Sequence, residues 1–260
     1  MLSELIMSIT IKDTTDIKKM RVAGHLAREV LDYIAPFVKI GITTKMLDWL
    51  CHQYMVDVQK TIPAPLNYTI AGCPPFPNAT CISLNHVVCH GIPDNTSIKE
   101  GDILNIDITI IKDGYHGDTS RMFLVGQVNQ TARYLCQTAY ECMWAGIHQI
   151  KPGAHLGDIG YTIQQLAEKR GYTVVREFCG HGIGKKFHEE PQVLHYGHPQ
   201  TGLVLKPGMI FTVEPMINQG QRDVSILQDS WTVVTKDRSL SAQWEHTVLV
   251  TEDGYEVLTQ

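Results

Sequence analysis

The apolar positions change period twice along the chain. From Thr15 to Val38, Ile17, Met20, Ala23, Gly24, Ala27, Val30, Leu31 and Ile34 recur at helical spacing, and Pro36 and Gly41 mark the end. A second helix is predicted from Thr44 to Met55, with Met46, Leu47, Leu50 and Cys51 on one face. Pro63 to Asn78 is rich in Pro and Gly and reads as a loop. The period then drops to two. Strands are predicted at Cys81–Leu84, Asp102–Lys112 and Gly117–Val125, and Asp113-Gly114 makes the hairpin turn between the last two. Helices return at Ala132–Gln149 and Ile159–Arg170. Strands follow at Val174–Glu177, Met209–Ile217, Trp231–Val234, Gln243–Thr251 and Tyr255–Leu258.

Helices then strands, twice over, point to an internal repeat. Lys39-Ile40-Gly41 and Lys151-Pro152-Gly153 each sit between two helices. The stretch from Lys99-Glu100-Gly101 to Asp107 resembles the stretch from Lys206-Pro207-Gly208 to Glu214, and His90-Gly91-Ile92 and His181-Gly182-Ile183 precede them. Residue by residue the likeness is weak, and any two turn-and-strand units share some of it. A duplicated α+β unit would bring one carboxylate from each copy to a shared cleft. One domain over 1–260 is expected, with halves of about 10–126 and 130–258.

Four carboxylates stand where an apolar strand should not hold them. Along the strand 102–112, Asn105, Asp107 and Thr109 share one face, while Leu104, Ile106, Ile108 and Ile110 share the other. A two-residue turn places Asp118 opposite Thr109, one diagonal step from Asp107. Two acids this close repel, burial raises their pKa values, and divalent cations relieve both problems. Glu214 interrupts the apolar run 209–217, and Glu245 interrupts 243–250. An ionised acid left unpaired in such a strand is costly. A salt bridge or a solvated face would explain any one of them. Four placed alike argue for a common purpose. Among the histidines, His181 lies between glycines, His188 follows seven residues later, and His90 precedes Gly91. His25, His52, His148 and His198 have no such context. Four carboxylates and an imidazole suit two divalent ions, Fe, Mn, Co or Zn, with the identity left open. A hydroxide between ions roughly 3.5–4 Å apart could attack an acyl or phosphoryl centre.

Composition narrows the setting. The 260 residues are 43% hydrophobic, enough for a sizeable core, and the formal net charge of −5 argues against a sequence-specific nucleic-acid binder. Seven cysteines form no CxxC pair, which suits free thiols in a reducing compartment. No apolar run approaches the ~20 residues of a membrane span. Met1 to Ile6 lacks a basic region followed by an apolar run, so no signal peptide is read there. A cytoplasmic protein that does not engage membranes is expected.

The segments Asn105-Ile106-Asp107, His116-Gly117-Asp118-Thr119-Ser120, Gly180-His181-Gly182-Ile183-Gly184, Phe211-Thr212-Val213-Glu214-Pro215 and Ser241-Ala242-Gln243-Trp244-Glu245-His246-Thr247 together resemble the type I methionine aminopeptidases, over about Ile9 to Leu258. The resemblance implies a pita-bread fold: α+β, two pseudo-twofold halves, antiparallel sheets backed by helices. It implies that Asp107 chelates one metal, His181 and Glu214 the other, and that Asp118 and Glu245 bridge both. The activity it implies is removal of the initiator methionine from nascent proteins and peptides with a small second residue, a metal-bound hydroxide being the nucleophile. By the same resemblance Glu214 relays a proton, His188 binds the carbonyl oxygen and His90 contacts the scissile amide. The methionine pocket would use Cys81, Phe187 and Trp231, with Phe76 at its rim, and a sulfur with aromatic rings suits a thioether guest.

The short Gly184–Met209 interval leaves no room for the helical insertion of type II enzymes, and the chain resembles the short bacterial form. A Pro-directed aminopeptidase or dipeptidase of the same fold is the alternative, and a binding module that has lost catalysis is a third reading. A monomer is expected, with the ribosome as a candidate partner because the substrate is a nascent chain. Two positions depart from the family: Cys73 stands where a Tyr is usual and His86 where a Glu is usual. The first removes an aromatic wall from the substrate entrance, and the second is expected to remove a negative charge close to His90.

Overall fold

The computed structural model describes residues 9–260, so the Met1–Ile6 start lies outside the described residues. Helices α1 (Thr14–Ile34) and α2 (Thr44–Gln53) lead into β1 (Ile62–Pro63), β2 (Cys81–Leu84), β3 (Val87–Cys89), β4 (Ile103–Lys112) and β5 (Tyr115–Leu124). Helices α3 (Gln130–Ile147) and α4 (Leu156–Lys169) then lead into β6 (Thr173–Val174), β7 (Gly180–Gly182), β8 (Glu189–Val193), β9 (Ile210–Val213) and β10 (Met216–Asn218). The chain closes with β11 (Val224–Ile226), β12 (Val233–Thr235), β13 (Ser241–Gln243), β14 (His246–Val250) and β15 (Tyr255–Val257). The expected α+β architecture, antiparallel sheets backed by helices, is what the chain adopts. One sheet has β4 at its centre, flanked by β5 on one edge and by β1 and β2 on the other. The largest runs β15-β14-β9-β7-β8, and two three-stranded sheets, β13-β10-β6 and β11-β12-β3, complete the set.

Each helix pair covers its own core. Met20, Ala23, Ala27, Leu31 and Ile34 of α1 pack on Leu104, Ile106, Ile108 and Ile110 of β4. Leu135, Ala139 and Met143 of α3 and Ile159 and Ile163 of α4 pack on Phe211, Val213 and Val248. Helix α1 starts at a reciprocal cap. Asp13 accepts from the N–H groups of Thr15 and Asp16, and Asp16 accepts from the Asp13 N–H. Its predicted tail is a tight 3₁₀ turn, Ala35–Phe37, because Pro36 cannot continue an α-helix.

The predicted face of α2 is rotated. Met46 is 47% exposed, while Thr44, Leu47, Asp48 and Cys51 are buried. Asp48 turns inward because it accepts hydrogen bonds from the Ala79 and Thr80 N–H groups, the Thr80 hydroxyl and the Asn78 amide. Those bonds satisfy the backbone of the loop ahead of β2. The end of the predicted helix becomes a wider π-turn, Tyr54–Gln59.

Two predicted strands are each broken in two. Met209–Ile217 divides at Glu214-Pro215 into β9 and β10, since Pro215 has no N–H for a ladder. Gln243–Thr251 divides at Trp244-Glu245 into β13 and β14. The breaks face each other: His246 pairs with Val213 on one side, and Met216 pairs with Gln243 on the other. The strand predicted at 174–177 is confined to Thr173–Val174, and that at 231–234 is shifted to Val233–Thr235, because Trp231 turns into a pocket.

The repeated turns carry matching backbone bonds. Gly41 donates to Ile98 O (2.8 Å) and Gly153 to Leu205 O (3.0 Å). Gly101 donates to Val125 O (2.9 Å) and Gly208 to Val250 O (2.9 Å). All four glycines have positive φ, between 84° and 92°. Among the described residues, no helix is long and apolar enough to cross a membrane.

Candidate metal centre

The β4–β5 hairpin sets the first two acids. Asp113 and Gly114 both have positive φ, as a two-residue turn with right-handed strand twist requires, and Lys112 pairs with Tyr115. That register puts Asp118 opposite Thr109, whose hydroxyl donates to Asp118 Oδ1 at 2.8 Å, and puts Asp107 opposite Ser120. Glu214 and Glu245 occupy the two facing strand breaks, where the chain leaves one sheet for another. Glu245 is stitched to the hairpin: its N–H donates to Ser120 O (3.3 Å), and its carbonyl accepts from Thr119 Oγ1 (2.7 Å). The Thr247 hydroxyl donates to Asp118 O at 2.8 Å. His181 lies on β7, squeezed between β9 and β8. A Cβ at Gly180 would lie 2.3 Å from Thr212 O, and one at Gly182 would lie 2.2 Å from Glu190 O. Close backbone approach on both sides is why glycines flank this histidine.

These elements converge on one cavity of about 850 Å³. Asp107, Asp118, His181, Glu214 and Glu245 all line it, with His90 and His188. Asp118, His181 and Glu245 form a metal-binding site, each offering a ligand atom within 4.8 Å of the others. His181 Nε2 is 3.7 Å from Asp118 Oδ2 and 3.6 Å from Glu214 Oε1. The Gly182 carbonyl, 3.0 Å from His181 Nδ1, can only accept, so Nδ1 carries the proton and Nε2 turns its lone pair to the acids.

Electrostatics favour a cation here. Burial is the main cause of every shift: it lifts Asp107 to about 7 and Glu214 to about 8, and raises Asp118 and Glu245 well above the carboxylate range. Repulsion from neighbouring acids adds to the shift at Asp118, Glu214 and Glu245. Among the described residues, no Lys or Arg forms an ion pair with any of the four. Asp107 Oδ1 is buried with no hydrogen-bond partner. An orphaned carboxylate oxygen among acids and a neutral imidazole is the donor set a divalent ion completes.

The wall beside the acids is apolar. Phe76, Cys81, Phe187 and Trp231 line the cavity. Cys73 packs on the cluster of Phe76, Cys81 and Trp231 without lining the cavity, its Sγ 3.7 Å from Ser230 O. The structure adds Tyr68, which stands edge-on to Phe187 (5.1 Å between centroids) and has its hydroxyl 2.8 Å from His188 Nδ1. His116 stacks on Phe187 at 5.6 Å. Thr212 Oγ1 donates to Glu214 Oε1 (2.6 Å), Gln243 Nε2 donates to Glu214 Oε2 (3.1 Å), and the buried His195 Nε2 accepts from the Glu214 N–H (3.2 Å). Strand alternation could have flagged Thr109 and Thr212, each two residues from an acid. Tyr68 sits in an irregular loop and has no local signal. His86 is absent from the cavity. Its ring pairs with Arg238 Nη1 at 2.8 Å.

A buried cluster of acids with one neutral imidazole, at the floor of a cleft wide enough for a peptide end, defines a metal-dependent hydrolase. Residues 18–252 match Metallopeptidase family M24. Methionine aminopeptidase of Escherichia coli (strain K12) is 53% identical over 254 residues, covering 97% of this chain and 94% of that protein. The crystal structure of methionine aminopeptidase from Rickettsia prowazekii superposes with a TM-score of 0.94 at 53% identity, covering 97% of this chain and all of that one. The Thermotoga maritima methionine aminopeptidase structure gives 0.93 at 36% identity, with 97% of this chain covered. The chain belongs to the type I methionine aminopeptidases of family M24.

Proposed function

We propose that this chain hydrolyses the N-terminal methionine from peptides and nascent proteins whose second residue is small. The observation that carries the reading is one cavity that joins a metal-binding Asp118–His181–Glu245 cluster to an apolar wall of Phe76, Cys81, Phe187 and Trp231, whose sulfur and aromatic rings suit a thioether guest. Relatives that share 53% identity over nearly the whole chain support it. Asp107 and Glu214 would complete the ligand set, Asp118 and Glu245 would bridge, and four carboxylates balance two dications. When bound, such ions polarise the scissile carbonyl and lower the pKa of an attacking water. Fe, Mn, Co and Zn all suit these donors.

The chain's own groups supply the rest. Burial depresses His188 and His90 to about 4, so both imidazoles are neutral near pH 7 and can donate a hydrogen bond without a charge. With Tyr68 holding its Nδ1, His188 would direct Nε2 at the carbonyl oxygen, where negative charge develops. His90 would meet the scissile amide. Glu214, held by Thr212 and Gln243, would take a proton from the attacking water and pass it to the leaving amine. The matching turns at Gly41 and Gly153, and at Gly101 and Gly208, support one catalytic unit of two duplicated halves. A cytoplasmic monomer acting at the ribosome is part of this reading.

The test is metal-dependent turnover on a Met-X panel. A chelator is expected to abolish cleavage of Met-Ala and Met-Gly peptides, and Co²⁺, Mn²⁺ or Fe²⁺ to restore it, with rates falling as X grows from Gly to Leu. Faster cleavage of X-Pro peptides would move the chain to the Pro-directed reading.

A further inference from the structure

Tyr68 reaches the metal cleft from a loop that closes on itself. The Phe76 N–H donates to Tyr68 O (2.9 Å), and the Asn67 N–H donates to Phe76 O (2.8 Å). The Tyr68 N–H donates to Pro65 O at 2.9 Å, which makes 65–68 a tight turn. Its third residue, Asn67, has a φ of 63°, a conformation that asparagine tolerates well. These three bonds fix the point from which the tyrosine ring enters the cavity. Cys73, on the same loop, does not line it.

The side chain faces two ways. Its ring lies beside Phe187 (5.1 Å between centroids) and Trp231 (6.5 Å), on the apolar wall of the cleft. Its hydroxyl is 2.8 Å from His188 Nδ1, and among the described residues it is the one hydrogen-bond partner of that imidazole. His188 is otherwise held by ring contacts alone. Phe187 stacks on it at 4.3 Å, and His181 lies tilted against it at 4.3 Å. Stacking sets the plane of a ring and leaves open which nitrogen carries the proton. The hydrogen bond made by one nitrogen decides the state of the other. The Tyr68 hydroxyl keeps its proton at neutral pH, since burial raises its pKa above the ordinary 10. When it donates to Nδ1, the imidazole proton resides on Nε2.

We propose that Tyr68 is a positioning and specificity-determining residue of this site: its ring walls the methionine side chain, and its hydroxyl donates to His188 Nδ1 and so fixes the Nε2–H form that faces the substrate carbonyl. The inference rests on the methionine excision proposed above and deepens it. One side chain joins recognition of the thioether to the group that meets the carbonyl oxygen. The ring acts on substrate binding, and the hydroxyl acts on the hydrogen bond that strengthens as negative charge develops.

The test compares Tyr68→Phe and Tyr68→Ala with the unmodified full-length chain on a Met-Ala peptide. Tyr68→Phe keeps the ring and should lower kcat about tenfold with KM nearly unchanged. Tyr68→Ala should lower kcat as much and raise KM several-fold as well. The tautomer is read separately, from the imidazole ¹⁵N shifts of the ¹⁵N-labelled chain loaded with diamagnetic Zn²⁺, with His188→Asn assigning the signal. The unmodified chain should show the Nε2–H form, and Tyr68→Phe a mixture of the two forms. Calorimetric metal affinity should be equal in both, which separates positioning from damage to the fold. The proposal is overturned by an unchanged kcat, an unchanged tautomer or weakened metal binding in Tyr68→Phe. An Nδ1–H form in the unmodified chain, or an unchanged KM in Tyr68→Ala, overturns it too. An unmodified chain that leaves Met-Ala peptides uncut overturns methionine excision instead, and the tautomer measurement then still decides the Tyr68–His188 bond.

Discussion

Asp107 holds a carboxylate oxygen that no protein donor reaches, and burial brings its pKa to about 7. Glu214 stands at about 8. Both values lie above the ordinary 3.8 and 4.5, so the metal-free folded chain keeps protons that the unfolded chain releases. The stability this linkage gives is present at low pH and is lost as pH rises through 7 and 8. His90, His181, His188 and His195 are shifted the other way, so their contribution is lost as pH falls below their ordinary 6.5. From pH 6.5 to about 8.5 the acids therefore dominate. Thermal melting of the metal-free chain should fall across that window, and Asp107→Asn should flatten the fall. A second expectation concerns His188, which donates rather than ligates in the proposed reaction. His188→Ala should lower kcat by about 10²-fold or more while calorimetry finds metal affinity little changed. Asp107, Asp118, Glu214 and Glu245 were legible in the sequence because an acid in an apolar strand is conspicuous. Tyr68, Gln243 and His195 were not, because each reaches its neighbour only through tertiary contact.

At the scale of elements, the long units were legible and the corners were not. The α1 pattern and the β4–β5 hairpin follow from periodicity and from Asp113-Gly114. Strands β3 and β7 have three residues each, too few for a period, and Gly180 and Gly182 lack the side chains that make a pattern. The breaks at Glu214-Pro215 and Trp244-Glu245 were hidden inside continuous apolar runs, yet they take both glutamates out of their ladders and turn them to the cleft. The hairpin is held in place by close contact with α1. A Cβ at Gly117 would lie 2.2 Å from Ala23 O and 2.7 Å from Gly24 N, both backbone atoms of that helix. Relief would require the helix or the strand to move next to Asp118. Gly117→Ala should therefore destabilise the chain by about 1–3 kcal/mol or more in denaturant unfolding. It should also weaken metal binding in calorimetry, because the displaced strand carries a ligand of the Asp118–His181–Glu245 cluster.

Across the whole molecule, the two departures from the family separate by location. Cys73 packs on Phe76, Cys81 and Trp231, the side chains that close the apolar end of the cleft. His86 lies in the turn after β2, four residues before His90 along extended chain, on the order of 10 Å. Its ring faces Arg238, and burial together with that cation lowers its pKa, so it is neutral and carries no charge toward the cleft. A change at one position should therefore leave the other's effect intact, since sites without shared partners act independently. Cys73→Tyr should add a ring at the pocket edge and change KM for Met-Ala peptides several-fold, with kcat nearly constant. His86→Glu should place a carboxylate against Arg238, and its effect should appear in melting temperature rather than in kcat, KM or their pH profile. The double variant should reproduce the kinetics of Cys73→Tyr alone. If His86→Glu alone moves the pH profile of kcat/KM, its charge reaches His90 across the sheet, and the assignment of the entrance to Cys73 alone is wrong.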